Sequence, residues 1–282
     1  MTALHRPTSL DEALSLLDTL DSPMVYGGGT AIQILIKQGV LFAENLVDLG
    51  RVPGLDVVEE TPEGFRAGPM VSIRTMERHP RLVDRAPLVA TAYGKVANPR
   101  VRNTASIGGN IAHGDYRLDP PTALLALSAN VVLASVRGTR TVPAREFFVD
   151  FQQTALEPGE MVLALEIPAQ PAGASAAYAK LSSMAVNDWP VASVAALLEP
   201  PGQAQRLLRL GVGALAPTPV FVDVDVTGLG RADCLAAALE AVHPLIEPLP
   251  DVRGGVEYKR QLGLVATQEA VEGAWRDDDE SR

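Results

Sequence analysis

Met24-Val25-Tyr26-Gly27-Gly28-Gly29-Thr30-Ala31-Ile32 decides the reading of the first part of the chain. Met24 to Tyr26 read as a short buried strand, broken by the glycines. Ile32, Leu35 and Ile36 then resume at helical spacing, with Gly39 as the stop. A strand, a glycine turn and a helix in that order expose backbone N–H groups that can approach phosphate oxygens. The Walker lysine and the G-x-G-x-x-G spacing are both missing, so neither the P-loop nor the Rossmann template fits. A tight turn that needs positive φ accounts for the same letters.

Working outward, Ser9 and Glu12 form a capping box ahead of Leu10, Ala13, Leu14 and Leu17 at helical spacing, and Leu46–Leu49 reads as a strand. Pro87–Val96 is helical and ends at Asn98-Pro99; Arg100–Gly114 shows little periodicity. Inside that stretch lies a second glycine motif, Thr104-Ala105-Ser106-Ile107-Gly108-Gly109-Asn110. The Thr104 and Ser106 hydroxyls, the Gly108 and Gly109 amides and the Asn110 side chain are short-reach donors, suited to a diphosphate held without many lysines. An ordinary irregular turn is the alternative. Two such motifs around one apolar half favour a dinucleotide over a mononucleotide.

Asp119 before Pro120-Pro121 reads as an N-cap opening a helix over Thr122–Leu127. Val131–Val136 and Arg140–Val142 form a hairpin, and Met161–Ile167 a strand closed by Pro168. Ala169–Ser175, rich in Pro, Gly and Ala, marks a boundary between a domain over 1–170 and one over 176–282. In the second, Ala177–Leu181, Val191–Leu198 and Arg206–Gly213 read as antiparallel strands, followed by helices over Ala232–Val242 and Val256–Val271. The acidic tail Trp275–Arg282 reads as frayed. The fold class expected is α+β.

The 282 residues are 47% hydrophobic and 21% charged, a globular composition, and the net charge of −10 argues against gripping a nucleic-acid backbone. Cys234 is the single cysteine, which excludes an internal disulfide and any cluster held by this chain's thiolates alone, and suits a reducing cytoplasm. No apolar run reaches the ~20 residues of a membrane span, and the N-terminus lacks the pattern of a secretory signal. His5, His79, His113 and His243 are scattered without metal-ligand spacing.

Gly27–Ala31 and Thr104–Asn110 resemble the two FAD-diphosphate loops of the flavoprotein (medium) subunit of molybdenum hydroxylases, the group of carbon monoxide, nicotinate-type and xanthine dehydrogenases. The similarity runs co-linearly through Arg102-Asn103, Asp119–Pro121, Ala123–Leu127, Phe147-Phe148, Leu156–Glu160, Leu165–Pro168, Tyr178–Lys180, Asn187–Trp189 and Tyr258–Arg260. It implies a two-lobed, PCMH-type FAD-binding domain followed by an antiparallel sheet with helices. Gly27, Gly28, Gly29, Thr30 and Ala31, with Thr104, Ser106, Ile107, Gly108, Gly109 and Asn110, would wrap the diphosphate. Val25 and Ile32 would flank the first loop, Val96 would pack near the cofactor, and Asp119 would hydrogen-bond it. Val162 would be an apolar contact. Lys180 would stand by the flavin N1/C2=O, and Trp189 over the isoalloxazine. Thr30, where members often carry His, and Ser182-Ser183-Met184, where a basic residue commonly follows, depart from the pattern.

No catalytic nucleophile or base is expected, because the flavin carries the redox step. The resemblance implies a large subunit holding a molybdenum–pterin cofactor and a small iron–sulfur subunit with 2Fe–2S clusters, arranged as a dimer of heterotrimers. This FAD would pass electrons to NAD, a quinone or dioxygen. A self-sufficient FAD oxidoreductase, and a non-catalytic assembly protein of the same fold, are the alternatives.

Overall fold

The computed structural model describes residues 2–185 and 187–280. The first lobe is built from β1 (Ala3–His5), α1 (Leu10–Thr19), β2 (Pro23–Tyr26), α2 (Ile32–Lys37) and β3 (Asn45–Asp48). Its strands run parallel in the order β1-β3-β2, with Val25 opposite Val47. Ser9 caps α1 by accepting from the Glu12 amide, while the Glu12 carboxylate reaches back to the Thr8 amide at 2.7 Å. Ala13, Leu14 and Leu17 of that helix pack on Val47 and Leu49. β2 is not the buried strand expected: Val25 is 37% exposed, because one face of the strand opens onto a cleft.

The second lobe carries β4 (Val58–Glu60), β5 (Gly64–Ala67), α3 (Ile73–Arg78), α4 (Pro80–Arg85), α5 (Pro87–Gly94), α6 (Pro99–Thr104), α7 (Ile107–Ala112), α8 (Pro120–Ala126), β6 (Asn130–Ser135), β7 (Gly138–Pro143), α9 (Ala144–Phe147), β8 (Phe148–Asp150), β9 (Gln153–Thr154) and β10 (Met161–Pro168). Five strands form an antiparallel sheet in the order β4-β5-β10-β6-β7, and β8 pairs with β9. Arg100–Gly114 is not irregular, as its weak periodicity suggested. Asn98, rather than ending a helix, caps α6 through bonds from the Arg100 and Val101 amides, and Ser106 caps α7. Both helices are only six residues long, too short to print a 3.6-residue period on the sequence.

β11 (Ser175–Leu181), β12 (Ala192–Leu198), β13 (Leu207–Gly213) and β14 (Val220–Asp225) follow as an antiparallel meander, with α10 (Arg231–Val242) and α11 (Val256–Glu280). Every residue of β12 is buried. Ala195 and Leu197 join the core of the second lobe, whereas Val194, Ala196 and Leu198 face α10 and α11. The sheet therefore lies between two helical layers, which explains why its central strand reads as continuous small apolar residues instead of alternating. α11 runs on to Glu280, so the acidic tail up to that residue is helical rather than frayed; Ser281 and Arg282 lie outside the described residues.

Candidate functional site: a cleft between two glycine motifs

A cleft of about 790 Å³ is walled by the first lobe, the second lobe and the segment joining β11 to β12. That volume lies in the upper part of the range that holds cofactors. The first glycine motif connects β2 to α2 at one end. Gly29 has φ +72, which only glycine adopts without strain. Among the described residues, the N–H groups of Gly27, Gly28, Gly29, Thr30 and Ala31 donate to nothing in the chain. Five adjacent donors beside a cleft form a cradle for an acceptor-rich group.

The two motifs touch directly. A Cβ on Gly28 would run into the Thr104 carbonyl, and one on Gly27 into the Ser106 hydroxyl. The two distant turns therefore share one cleft.

The second motif works differently from its expected role. Gly108 N donates to Pro69 O at 2.9 Å, and Gly109 N to Ser106 Oγ at 3.3 Å. These amides are tied into the fold and are not free donors. Ile107 is fully buried in the second-lobe core, with its amide on Val71 O at 2.9 Å. Thr104 does not line the cleft; its hydroxyl donates to Arg100 O at 3.3 Å, and its carbonyl backs Gly28. Ala105, Ser106, Gly108, Gly109 and Asn110 line the cleft, and of these the Ser106 hydroxyl, whose hydrogen is uncommitted, and the Asn110 side chain keep free hydrogen-bonding capacity. α6 is held in place by Arg102, which donates to Val96 O at 2.7 Å and Ala97 O at 2.9 Å and pairs with Glu77 at 2.8 Å.

Asp119, Lys180 and Trp189 also line the cleft, with Val25, Ile32, Val96 and Val162 as apolar lining. Val162 sits where a bulge interrupts the pairing of β10 with β6. Asp119 does not cap α8, the reading its place before Pro120 favoured: its backbone is already helical and its side chain makes no capping bond. The carboxylate instead accepts from Tyr178 OH at 2.7 Å and from Lys180 Nζ at 2.8 Å. Lys180 also donates to Lys95 O at 2.8 Å. Burial pushes the Asp119 carboxyl up to about 6, against the pull of the Lys180 ammonium and the Tyr178 hydroxyl. Burial also drives the Tyr178 phenol well above its usual range.

Trp189 belongs to the loop before β12 and not to a strand start. Arg117 lies between its ring and that of Tyr116, with centroids at 5.0 and 5.2 Å. The neighbouring Asp188 is gripped by Arg253 through contacts of 3.0 and 2.7 Å. Sequence reasoning assigned no site role to Met70, Leu118 or the Leu156–Met161 wall, all of which line the cleft. The Leu156–Glu160 motif was the available signal. His113 also lines it, and burial lowers its pKa and favours the neutral ring.

The residues fit a dinucleotide: unpaired amides and glycines that exclude any Cβ, in one cleft with apolar side chains and the buried Lys180 cation. Such a cleft, in a parallel three-stranded lobe clasped to an antiparallel sheet, defines a flavoprotein of the two-lobed class. Residues 1–170 match the family described as the FAD binding domain in molybdopterin dehydrogenase, and the chain belongs to it. It is a FAD-binding medium subunit of the molybdenum hydroxylase type, an oxidoreductase component.

Over 276 residues the chain is 32% identical to the carbon monoxide dehydrogenase medium chain of Hydrogenophaga pseudoflava, covering 96% of each. It is 31% identical to the nicotine 6-hydroxylase medium subunit of Paenarthrobacter nicotinovorans, covering 91% of each. Among solved structures, the Hydrogenophaga pseudoflava carbon monoxide dehydrogenase superposes with a TM-score of 0.90 at 31% identity, over 98% of this chain and 97% of that one. Among the described residues, no helix is long and apolar enough to cross a membrane, and no group of His, Cys, Asp or Glu is placed to hold a metal ion.

Proposed function

We propose that this chain is the electron-exit subunit of a molybdenum-dependent dehydrogenase, holding FAD between residues 1–170 and a wall supplied by 176–282. When bound, the isoalloxazine supplies reversible uptake of an electron pair. The observation that carries the reading is the contact of the two glycine motifs beside five unpaired amides. The amides from Gly27 to Ala31 would hold the diphosphate, with Ser106 Oγ and Asn110 completing the clamp. Val25, Ile32, Val96 and Val162 would exclude water from the rings. Trp189 would cover the isoalloxazine, and Lys180 would set the charge at its edge. Ile107 and Thr104 contribute from behind, by shaping the clamp.

With one cysteine, buried in the C-terminal core, this chain has no thiolate set for iron–sulfur clusters. Those clusters would sit on a small partner subunit and the molybdenum–pterin cofactor on a large one, in a cytoplasmic dimer of heterotrimers. Electrons would leave through this FAD to an external acceptor.

Affinity purification of the tagged chain from its host, with metal and flavin analysis, tests the reading. Molybdenum, iron and FAD co-purifying with two further chains is the expected result. A flavin-loaded chain that is monomeric in the host and oxidises a small organic donor unaided would overturn it.

A further inference from the structure

The buried Asp119–Lys180 pair is surrounded by groups that the FAD clamp does not use. Tyr178 and Lys180 donate to the two carboxylate oxygens, and both charged side chains are 6% exposed. From α8, Thr122 faces the Tyr178 hydroxyl but spends its own hydrogen on Asp119 O at 2.8 Å. From β12, the fully buried Ser193 sits against that hydroxyl, and its Oγ has no other hydrogen-bond partner among the described residues. Lys95, after α5, adds positive potential at Asp119. Asp188, on the loop before β12, feels the Lys180 charge from the other side.

A buried hydroxyl with a single neighbour in reach can serve it as donor or as acceptor. The first arrangement is plain: Asp119 ionised, Tyr178 and Lys180 both donating to it, and Ser193 turned toward the Tyr178 oxygen. A second follows from the same atoms. A proton on Asp119 Oδ1 would be donated to Tyr178 Oη, and the Tyr178 hydrogen would turn to Ser193 Oγ. Lys180 would then lose its counter-charge and line the cleft as an uncompensated cation still held by Lys95 O.

Building on the FAD reading, we propose that Asp119 takes one proton from solvent when negative charge arrives beside Lys180, so that Lys180 faces that charge while Tyr178 turns its hydrogen to Ser193. No covalent bond between heavy atoms changes. Two electrons and one proton go to the ring and leave it anionic, and a second proton goes to Asp119. Asp119 acts through Lys180 and is a positioning residue that holds a proton. Its carboxyl, poised near 6, is ionised at neutral pH in the uncharged cleft and is available to accept.

The test uses the FAD-loaded full chain in redox titrations from pH 5 to pH 9, with difference infrared spectra of the reduced and oxidised forms. The native protein is expected to take up two protons per electron pair above about pH 6 and one below, with a protonated-carboxyl band appearing on reduction. Asp119→Asn is expected to take up one proton at every pH and to lose the band. Tyr178→Phe removes a donor to the carboxylate and should move the break to higher pH; it also serves if Asp119→Asn folds poorly. A two-proton region that survives in Asp119→Asn, or a break unmoved in Tyr178→Phe, overturns the proposal. FAD binding is measured first, so a chain that never holds flavin fails the cofactor reading, separately from this one.

Discussion

The two glycine motifs look alike as letters and do opposite work. Gly27–Ala31 lines the cleft with its amides unpaired, whereas Gly108 and Gly109 give theirs to Pro69 and Ser106. One motif is a donor surface. The other is a brace: Gly108 lets the chain pass Pro69, Thr104 and Ser106 back the first loop, and the two glycines line the cleft with their amides already spent. A glycine-rich stretch therefore cannot be assigned to phosphate binding until its N–H groups are accounted for one by one.

The largest effect expected from that contrast is at Gly28. A Cβ there meets the Thr104 carbonyl, backbone that cannot swing away. Gly28→Ala should part the two motifs and weaken FAD binding by about a hundredfold, roughly 3 kcal/mol, measured by flavin fluorescence on refilling the apo-protein.

Next comes Gly108, whose Cβ would lie 2.5 Å from Pro69 Cβ. Gly108→Ala should cost about 1–3 kcal/mol of stability by thermal melting, with the loss visible in the flavin-free chain as well. Gly109→Ala sharpens the comparison: its Cβ meets only Ser106 Oγ, at 3.0 Å, so FAD affinity should fall while the melting temperature holds. If Gly108→Ala melts normally and loses only flavin, the brace becomes a donor surface after all.

The smallest effect is at Ser106. Ser106→Ala removes the cap of α7 and one hydroxyl from the clamp, and should cost about 1 kcal/mol in melting and up to about tenfold in FAD affinity.

Much of this was legible in the chain. The helix from Leu10, the strand–glycine–helix unit and the hairpin around Arg137-Gly138 carry their own punctuation of caps, glycines and alternation, and they fold where that punctuation puts them. α3, α4, α6 and α7 were harder, because a helix of six residues spans less than two turns and its apolar side is one or two residues wide. β14, with Val220, Val222 and Val224 alternating against Phe221, Asp223 and Asp225, passed unread behind the prolines that precede it.

At the site, the family likeness named residues but could not say which of their atoms were free. Asp119 stands where a cap is expected, and only the fold reveals that Tyr178 and Lys180, from a strand some sixty residues on, claim its oxygens instead. The Leu156–Met161 wall was marked by its motif alone, with no residue type that names a cofactor contact.

The walls of the cleft run from Leu17 to Trp189, and β5 finds its partner β10 only about a hundred residues later. A nascent chain that has released the first glycine loop thus has neither the brace behind it nor the lid above it. The pocket is complete only once Trp189 has emerged, so flavin loading waits on about two-thirds of the polypeptide rather than on its first glycine loop.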